Sequence, residues 1–208
     1  MQLQNYYYWF KDAIPHHVCD DIVRYAKSIQ DQMAVTGGYG DKKLNKKEVQ
    51  DLKKKRDSDI VWLNERWIYN AIHPFIHQAN RDANWNFQWD FSESCQFTKY
   101  KKGQYYDWHC DSWDRAYHKP EDPNSHGKQR KLSVTLSLSE DKDYSGGELE
   151  FDMRNQDPDK KANTHVLKEI RSKGSLVVFP SDVWHRVKPV KSGIRHSLVI
   201  WNLGWPFK

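Results

Sequence analysis

The chain has 208 residues and a net charge of +5, a size that suits one domain with a substantial core. Its 10 Trp, 11 Tyr and 8 Phe exclude an intrinsically disordered chain, because such chains are poor in aromatic residues. Three cysteines without a C-x-x-C motif exclude a disulfide scaffold and favour a reducing compartment. No apolar run is long enough to span a membrane, and no signal-peptide pattern is evident. We therefore expect a cytoplasmic protein with no membrane-spanning segment.

Two amphipathic patterns in the first part of the chain are typical of helices. Pro15–Gln30 opens with proline and repeats apolar residues at helical spacing. Asn64–Ala83 does the same, with Asn64 as the expected N-cap and Pro74 as an expected kink or interruption. These patterns predict a helical N-terminal support over about residues 1–84.

Much of the positive charge lies between these helices, in the lysine-rich segment 42–56, which has eight basic residues and two acidic ones. A solvated, partly helical or mobile segment explains such a run most simply. A contact surface for an acidic partner or nucleic acid is the alternative. The segment has no aromatic residue, which argues against a stacking platform for single-stranded nucleic acid.

From residue 85 onward the apolar period changes to two, which is typical of strands. Many short strands without intervening helices predict a sandwich or jelly roll over about residues 85–208, and hence a single, mainly β domain with flanking helices. The polar stretch 113–129 predicts a long loop, a common form for a functional lid. The strand candidates are Trp85–Trp89, Cys95–Lys99, Gln104–His109, Lys131–Leu138, Glu148–Asp152, His165–Ile170, Ser175–Phe179, Trp184–Val190 and Arg195–Trp201.

A candidate metal site begins at the H-x-D pair formed by His109 and Asp111. On a strand, residues i and i+2 point to the same face, so both side chains could reach one ion. A chain with 10 His contains about one such pair by chance, so the pair alone is weak. It follows a strand-like segment and precedes the long loop, at the kind of rim where ligands collect. His185, in an apolar and strand-rich stretch, is the best third ligand.

Two imidazoles and one carboxylate leave three positions of an octahedron open, as in the non-haem Fe(II) oxygenases. Zinc hydrolases use the same ligand types, so the ligands alone leave the metal undecided. A structural zinc site would need a fourth ligand, and Cys110 is expected to point away from the shared face of His109 and Asp111.

A candidate anion site lies ten residues after His185, where Arg195 shares an otherwise apolar strand face with Ser197. A buried guanidinium requires an anion, and its planar fork suits a carboxylate. A salt bridge to an internal Asp or Glu is the alternative. Ser197 and Tyr100, the latter at the end of the strand before the H-x-D pair, could bind the same anion.

Three stretches carry a resemblance to a known family: Y-K-K-G-Q-Y-Y-D-W-H-C-D from Tyr100, L-S-V-T-L-S-L-S-E-D-K-D-Y-S-G-G-E-L from Leu132, and K-G-S-L-V-V-F-P-S-D-V-W-H-R-V-K-P-V-K-S-G-I-R-H-S from Lys173. In order and spacing they resemble the 2-oxoglutarate/Fe(II) dioxygenase superfamily, in particular its prolyl 4-hydroxylase branch and the PKHD-type hydroxylases. The resemblance implies a double-stranded β-helix (jelly-roll) core. It also implies Fe(II) ligation by His109, Asp111 and His185.

The same resemblance implies the co-substrates 2-oxoglutarate and O2, with ascorbate as a supporting reductant. Arg195 would hold the distal carboxylate of 2-oxoglutarate, Tyr100 would hydrogen-bond to that carboxylate, and Ser133 would lie near it. The implied reaction hydroxylates an unactivated C–H bond and releases succinate and CO2. Candidates for an aromatic shell around the site are Tyr106, Trp108, Trp113 and Trp184.

For the substrate, the resemblance favours a prolyl residue in a peptide or protein, with the 113–129 loop and the lysine-rich segment closing over it. A free amino acid or another small metabolite is the alternative within the enzyme class. A nucleic-acid oxygenase is disfavoured. Such enzymes place a second arginine shortly after the co-substrate arginine, and no arginine lies between Ser197 and Trp205. A binding module without catalysis is disfavoured too, because the ligand triad and the co-substrate arginine are all present.

Overall fold

The computed structural model describes residues 5–34, 44–112, 114–154 and 160–207. Its helices are α1 (His16–Lys27), α2 (Lys46–Lys53) and α3 (Arg66–Asp82). Its strands are β1 (Tyr8–Phe10), β2 (Gln32–Met33), β3 (Arg56–Asp57), β4 (Asp59–Leu63), β5 (Phe91–Ser92), β6 (Cys95–Tyr100), β7 (Tyr105–His109), β8 (Gln129–Ser137), β9 (Tyr144–Gly146), β10 (Leu149–Asp152), β11 (Thr164–Val166), β12 (Leu176–Pro180), β13 (Trp184–Val187), β14 (Val190–Gly193) and β15 (Arg195–Gly204).

Two antiparallel sheets form most of the fold. The eight-stranded sheet has the order β1-β12-β8-β15-β6-β4-β2, with β5 paired to β15, and the five-stranded sheet has the order β11-β10-β13-β7-β3. Strands distant in sequence, such as β8 and β15, are neighbours, so the chain crosses repeatedly between the sheets as in a jelly roll. The mainly β fold with a jelly-roll core and flanking helices is therefore confirmed.

The two faces of the eight-stranded sheet differ in chemistry because residues alternate along each strand. Leu198 and Ile200 of β15 point to one face, where they join an apolar core with Ile22 of α1 and Ile72 of α3. Burial of each such side chain stabilises the fold by roughly 1.5–3 kcal/mol. The opposite face of β15 carries Arg195 and the residues at two-residue spacing after it, and this face looks into a cavity between the sheets.

A second apolar cluster packs between the two sheets at one side of this cavity. Phe151 of β10 and Phe179 of β12 are at its centre, with ring centroids 5.0 Å apart. The Phe179 ring also lies edge-on to His185, at 4.8 Å between centroids. Packed aromatic rings therefore restrict the position of this histidine.

The two predicted helices are present, with two differences. α3 runs through Pro74 without interruption, although proline lacks the N–H that would bond to the residue four positions earlier. The predicted N-cap at Asn64 is wrong: Glu65 holds that position without a side-chain cap, and Asn64 instead accepts a hydrogen bond from the Tyr69 hydroxyl.

The predicted strand Trp85–Trp89 is also wrong. Asn84 and Asn86 have φ values of +58° and +54°, which an extended strand cannot contain. Trp85 and Phe87 are nevertheless buried in the core, so the alternating apolar pattern reflects a packed turn and not a strand.

The region before residue 85 also contributes strands that the helical interpretation omits. β1 pairs with β12 at one edge of the eight-stranded sheet, and β4 pairs with β6 near the other. Within the lysine-rich segment, residues 42 and 43 lie outside the described part of the chain. α2 follows them and begins with a capping box between Asn45 and Glu48, so this segment is in part helical.

Candidate active site

His109, Asp111 and His185 converge on one point between the sheets. His109 and His185 are directly opposite each other on β7 and β13, and Asp111 follows two residues after the end of β7. Nε2 of His109 is 3.8 Å from Oδ1 of Asp111, and Nε2 of His185 is 3.6 Å from Oδ2. One ligand atom from each residue lies within 4.8 Å of the other two, so the three could hold one metal ion.

Backbone carbonyls orient both imidazole rings. Nδ1 of His109 is 2.8 Å from the carbonyl oxygen of Asp107, and Nδ1 of His185 is 2.9 Å from that of Val183. A carbonyl only accepts, so each Nδ1 carries the proton and donates it. Each Nε2 is then an unprotonated lone pair facing Asp111, the form that ligates a metal.

Hydrogen bonds also fix the Asp111 carboxylate. Its Oδ2 accepts from the Ser133 hydroxyl at 2.8 Å, and Ser133 is 2.9 Å from the Ser181 hydroxyl. The expected place of Ser133, near the distal carboxylate of 2-oxoglutarate, thus differs from the observed one. Ser133 lies on the part of β8 that is level with the candidate metal ligands. Its cross-strand partner on β15 is Trp201 and not a residue near Arg195.

The protonation states of Asp111 and His109 suit a cation. Burial alone would raise the pKa of Asp111, but His185, His109 and Arg130 outweigh it and lower this pKa below its usual range. Burial, followed by the neighbouring His185, lowers the pKa of His109 to about 3. The cluster therefore presents the ionised Asp111 carboxylate and the neutral His109 imidazole at neutral pH.

This donor set fits Fe(II). Two imidazoles and one carboxylate approach from one side, as in a facial triad, and leave the remaining positions for other ligands. Cys110 is not a fourth ligand, because its thiol donates to the carbonyl oxygen of Ser112 at 3.3 Å. Within the described ranges, no other group of three or more His, Cys, Asp or Glu residues has metal-binding spacing.

Arg195 is buried, with 4% of its surface exposed, and lines the same cavity as the triad. Its Nη1 donates to the Ser197 hydroxyl at 3.0 Å. Tyr100 is directly opposite on β6, and its ring centroid is 5.4 Å from the Arg195 guanidinium carbon. No carboxylate of the described residues forms a salt bridge with Arg195, so the alternative of an internal ion pair does not apply there.

The cavity is also lined by several residues that were not predicted from the sequence. Two of these residues could have been predicted, because Gln96 and Thr98 lie at two-residue spacing on β6 and mark a polar strand face turned away from the apolar core. The missed residues are Arg56, Gln96, Thr98, Thr135 and Trp201.

The expected aromatic shell is only partly present. Tyr106 lines the cavity and stacks on His109 with ring centroids 3.5 Å apart. Trp108 lies against Arg186 outside the cavity, and Trp184 is 40% exposed. Their alternation along β7 and β13 turns them away from the face that carries the histidines. Trp113 lies outside the described residues.

With this geometry, comparison with known proteins assigns the family. The family model described as "2OG-Fe(II) oxygenase superfamily" matches residues 95–202, more than half of the chain. The chain belongs to this superfamily. The matched region includes the complete His-Asp-His cluster and Arg195.

Curated relatives point to the same family. A PKHD-type hydroxylase of Pseudoalteromonas atlantica is 34% identical over 108 residues, which cover 51% of this chain and 41% of that protein. A PKHD-type hydroxylase of a Synechococcus strain is 36% identical over 100 residues, which cover 48% of this chain and 36% of that protein. The aligned part thus spans less than half the length of these relatives.

Solved structures share the fold at low sequence identity. A viral collagen prolyl hydroxylase from Paramecium Bursaria Chlorella virus-1 is 19% identical, covers 97% of both chains and has a TM-score of 0.63. A prolyl-4-hydroxylase from Pseudomonas putida is 19% identical, covers 96% of this chain and 92% of its own, and has a TM-score of 0.62. A Trichoplax adhaerens prolyl hydroxylase, solved with a hypoxia inducible factor peptide fragment, is 16% identical, covers 96% and 84%, and has a TM-score of 0.65.

None of the helices in the described part of the chain combines the length and the apolar character needed to cross a membrane.

Proposed function

We propose that this chain is an Fe(II)- and 2-oxoglutarate-dependent dioxygenase that hydroxylates an unactivated C–H bond, most specifically that of a prolyl residue in a peptide or protein. The observation that carries the proposal is one cavity with a His-Asp-His cluster and a buried arginine, Arg195, that has no acidic partner among the described residues. We also propose that residues 1–208 act as one domain, because β1, β2 and β4 complete the sheet that carries Arg195.

In this proposal His109, Asp111 and His185 hold the iron. Iron with 2-oxoglutarate supplies the oxidising chemistry, in which O2 and 2-oxoglutarate are consumed and succinate, CO2 and the hydroxylated product are formed. The backbone carbonyls orient both imidazoles with Nε2 toward Asp111, and Ser133 and Arg130 favour the ionised form of the Asp111 carboxylate.

Arg195 would hold the far carboxylate of 2-oxoglutarate. Its guanidinium has donors to spare beyond the one used on Ser197, and the fork geometry suits a carboxylate. Tyr100 and Ser197 flank the guanidinium and could donate hydroxyl hydrogen bonds to the same anion. Burial between two sheets excludes water from this contact and thereby strengthens it.

Two structural neighbours support the prolyl substrate: the viral collagen prolyl hydroxylase and the Trichoplax prolyl hydroxylase solved with a hypoxia inducible factor peptide fragment. A second groove is lined by Trp62 and Arg130, which both contact the Trp201 ring of the cavity lining, and by Lys119, Asp122 and Ser125 of the long loop. We propose that this loop closes over the substrate. The lysine-rich segment is a second closing element in this proposal, because β3 at its end pairs with β7, the strand that carries His109.

The test is product analysis with purified protein, Fe(II), 2-oxoglutarate and ascorbate. Proline-containing peptides, free amino acids and oligonucleotides are offered in separate reactions. We expect succinate formation that a prolyl peptide stimulates, and a mass gain of one oxygen atom on that peptide. A mass gain only on free amino acids or oligonucleotides would assign the substrate to that class instead. No 2-oxoglutarate turnover at all would indicate a binding module.

A further inference from the structure

A second buried guanidinium lines the cavity. Arg56 of β3 has 6% of its surface exposed and lies 4.5 Å above the centroid of the Tyr106 ring. Its Nε donates to the Ser58 hydroxyl at 3.1 Å, and its Nη2 donates to the side-chain carbonyl of Gln96. No carboxylate in the described ranges forms a salt bridge with Arg56. Its protein partners are a hydroxyl, an amide and an aromatic ring, so its charge has no counter-ion.

Such an arrangement favours an anionic ligand. Burial of a cation is unfavourable unless an anion compensates it, and Gln96 supplies an oxygen without a negative charge. Both Arg56 and Gln96 line the cavity that contains His109, Asp111 and His185. The unmet charge therefore lies beside the position of the reaction.

This anion cannot be 2-oxoglutarate as assigned above. In the proposed function one carboxylate of 2-oxoglutarate is held by Arg195 and the other lies at the iron. Gln96 and Tyr100 are also four residues apart on one face of β6, which places them roughly 13 Å apart along the strand. The anion site at Arg56 is therefore separate from the site at Arg195.

Two further polar groups of the same cavity have no partner. The Thr98 hydroxyl and the Trp201 indole N–H are buried without a hydrogen bond in the structure. Thr98 is two residues from Gln96 on the same face of β6, and Trp201 follows two residues after Val199, the cross-strand partner of Gln96. Unused donors thus line the same cavity as the guanidinium, and an oxygen-rich ligand would satisfy them.

We infer that Arg56 binds a carboxylate of the substrate, next to the carbon that is hydroxylated. The inference rests on the proposed function and deepens it. The carboxylate has two sources in prolyl substrates: the α-carboxylate of a terminal or free proline, or the side chain of an acidic residue beside the proline. In either case a neutral analogue of the same shape binds more weakly.

Two variants test the uncompensated positive charge of Arg56 in opposite ways. Gln96→Glu supplies an internal carboxylate to Arg56, and Arg56→Gln removes the cation. Gln78→Glu is the matched control, because it makes the same chemical change at an exposed position on α3, away from the cavity. Retained 2-oxoglutarate binding and a cooperative thermal transition show that each variant is folded.

Substrate binding is measured without O2, on protein loaded with Fe(II) and 2-oxoglutarate. The probes are N-acetyl-alanyl-proline against its C-terminal amide, and N-acetyl-prolyl-aspartate amide against the asparagine analogue. We expect the wild type and Gln78→Glu to bind the carboxylate member of one pair at least about tenfold more tightly. The pair that shows the preference identifies the source of the carboxylate. Gln96→Glu and Arg56→Gln should lose the preference.

The outcomes separate the inference from the proposed function. Prolyl probes that bind with no carboxylate preference, or with a preference that survives in both variants, overturn the inference alone. If no prolyl probe binds, the prolyl substrate is overturned, and acetate against acetamide tests the anion site directly. Acetate that raises the melting temperature of wild type but not of Gln96→Glu supports the site; equal effects in both proteins overturn it.

Discussion

The cavity between the two sheets has two sides of opposite charge. Around the facing ends of β7 and β13 and the turn after β7, it presents the ionised Asp111 carboxylate and the neutral His109 imidazole, a set that suits a cation. The other side has two guanidiniums, Arg195 on the eight-stranded sheet and Arg56 on β3 at the edge of the five-stranded sheet. Among the described residues, both guanidiniums have neutral side-chain partners only. Such a cavity suits a metal ion and organic anions in a fixed relative orientation.

The two sides also differ in how complete they are without ligands. Each triad residue has a hydrogen-bond partner of its own, so the metal side is organised in advance. The guanidinium side contains buried charge without a counter-ion, which makes the ligand-free protein less stable than it could be. Binding of an anion should therefore stabilise the protein by mass action.

Removing a metal ligand should give the largest effect. His185→Ala should lose stoichiometric iron and lower succinate formation by at least about 100-fold, because metal-bound substrate positioning depends on all three ligands. Iron content and succinate yield are the measurements. His17→Ala, at an exposed histidine of α1, is the control and should retain both. Unchanged iron and turnover in His185→Ala would refute the triad.

Replacing Arg195, the residue proposed to hold the far carboxylate of 2-oxoglutarate, should leave iron binding intact. Arg195→Ala should raise the 2-oxoglutarate concentration for half-maximal turnover by about 30- to 100-fold, the equivalent of about 2–3 kcal/mol for a charged hydrogen-bonded contact. Iron content should be normal. Arg195→Lys should recover only part of the affinity, because an ammonium is a point charge without the planar fork. Lost iron with normal 2-oxoglutarate affinity would contradict the assigned role.

Ser133 distinguishes the two sides directly, since it belongs to the eight-stranded sheet but bonds to Asp111. Ser133→Ala should weaken iron binding by about tenfold, because groups that orient a metal ligand typically contribute that much. The 2-oxoglutarate requirement at saturating iron should not change. Ser133→Thr retains the hydroxyl and is the matched control. Normal iron binding with a raised 2-oxoglutarate requirement would instead support the expectation from the sequence, in which Ser133 lies near the distal carboxylate of 2-oxoglutarate.

The metal side was predictable because its geometry is local. An H-x-D pair keeps two candidate ligands close along the chain, even though Asp111 lies just after the end of β7, and His185 and Arg195 lie on predicted strands that are present. Arg56 was not predictable in the same way. It lies within a run of lysines, and its burial depends on a two-residue strand that pairs with β7 some fifty positions later.

Errors elsewhere in the fold have similar causes. The alternation at Trp85 and Phe87 predicts a strand, but the left-handed backbone of Asn84 and Asn86 turns the chain while both rings remain in the core. Sequence periodicity reports which side chains are buried more reliably than it reports the backbone conformation that buries them.

The smallest expected effect concerns His196, which lies on the face of β15 opposite the cavity. Its ring stacks on Phe97. Burial, followed by Lys27 and Lys99, lowers the pKa of His196 to about 4. The unfolded chain has the ordinary histidine pKa of about 6.5, so between these values the unfolded state binds more protons. Stability from the neutral ring is therefore full above pH 6.5 and is lost as the pH falls toward 4.

This loss should appear in the free energy of unfolding by urea at pH 7 and pH 5. Wild type should lose about 2 kcal/mol more than His196→Gln over this range, because glutamine at the same place does not titrate. Catalytic constants at neutral pH should be similar in both proteins, since His196 is outside the cavity that contains the two charged sides. An equal acid response of the two proteins would show that His196 is already protonated, or freely hydrated, in the native fold.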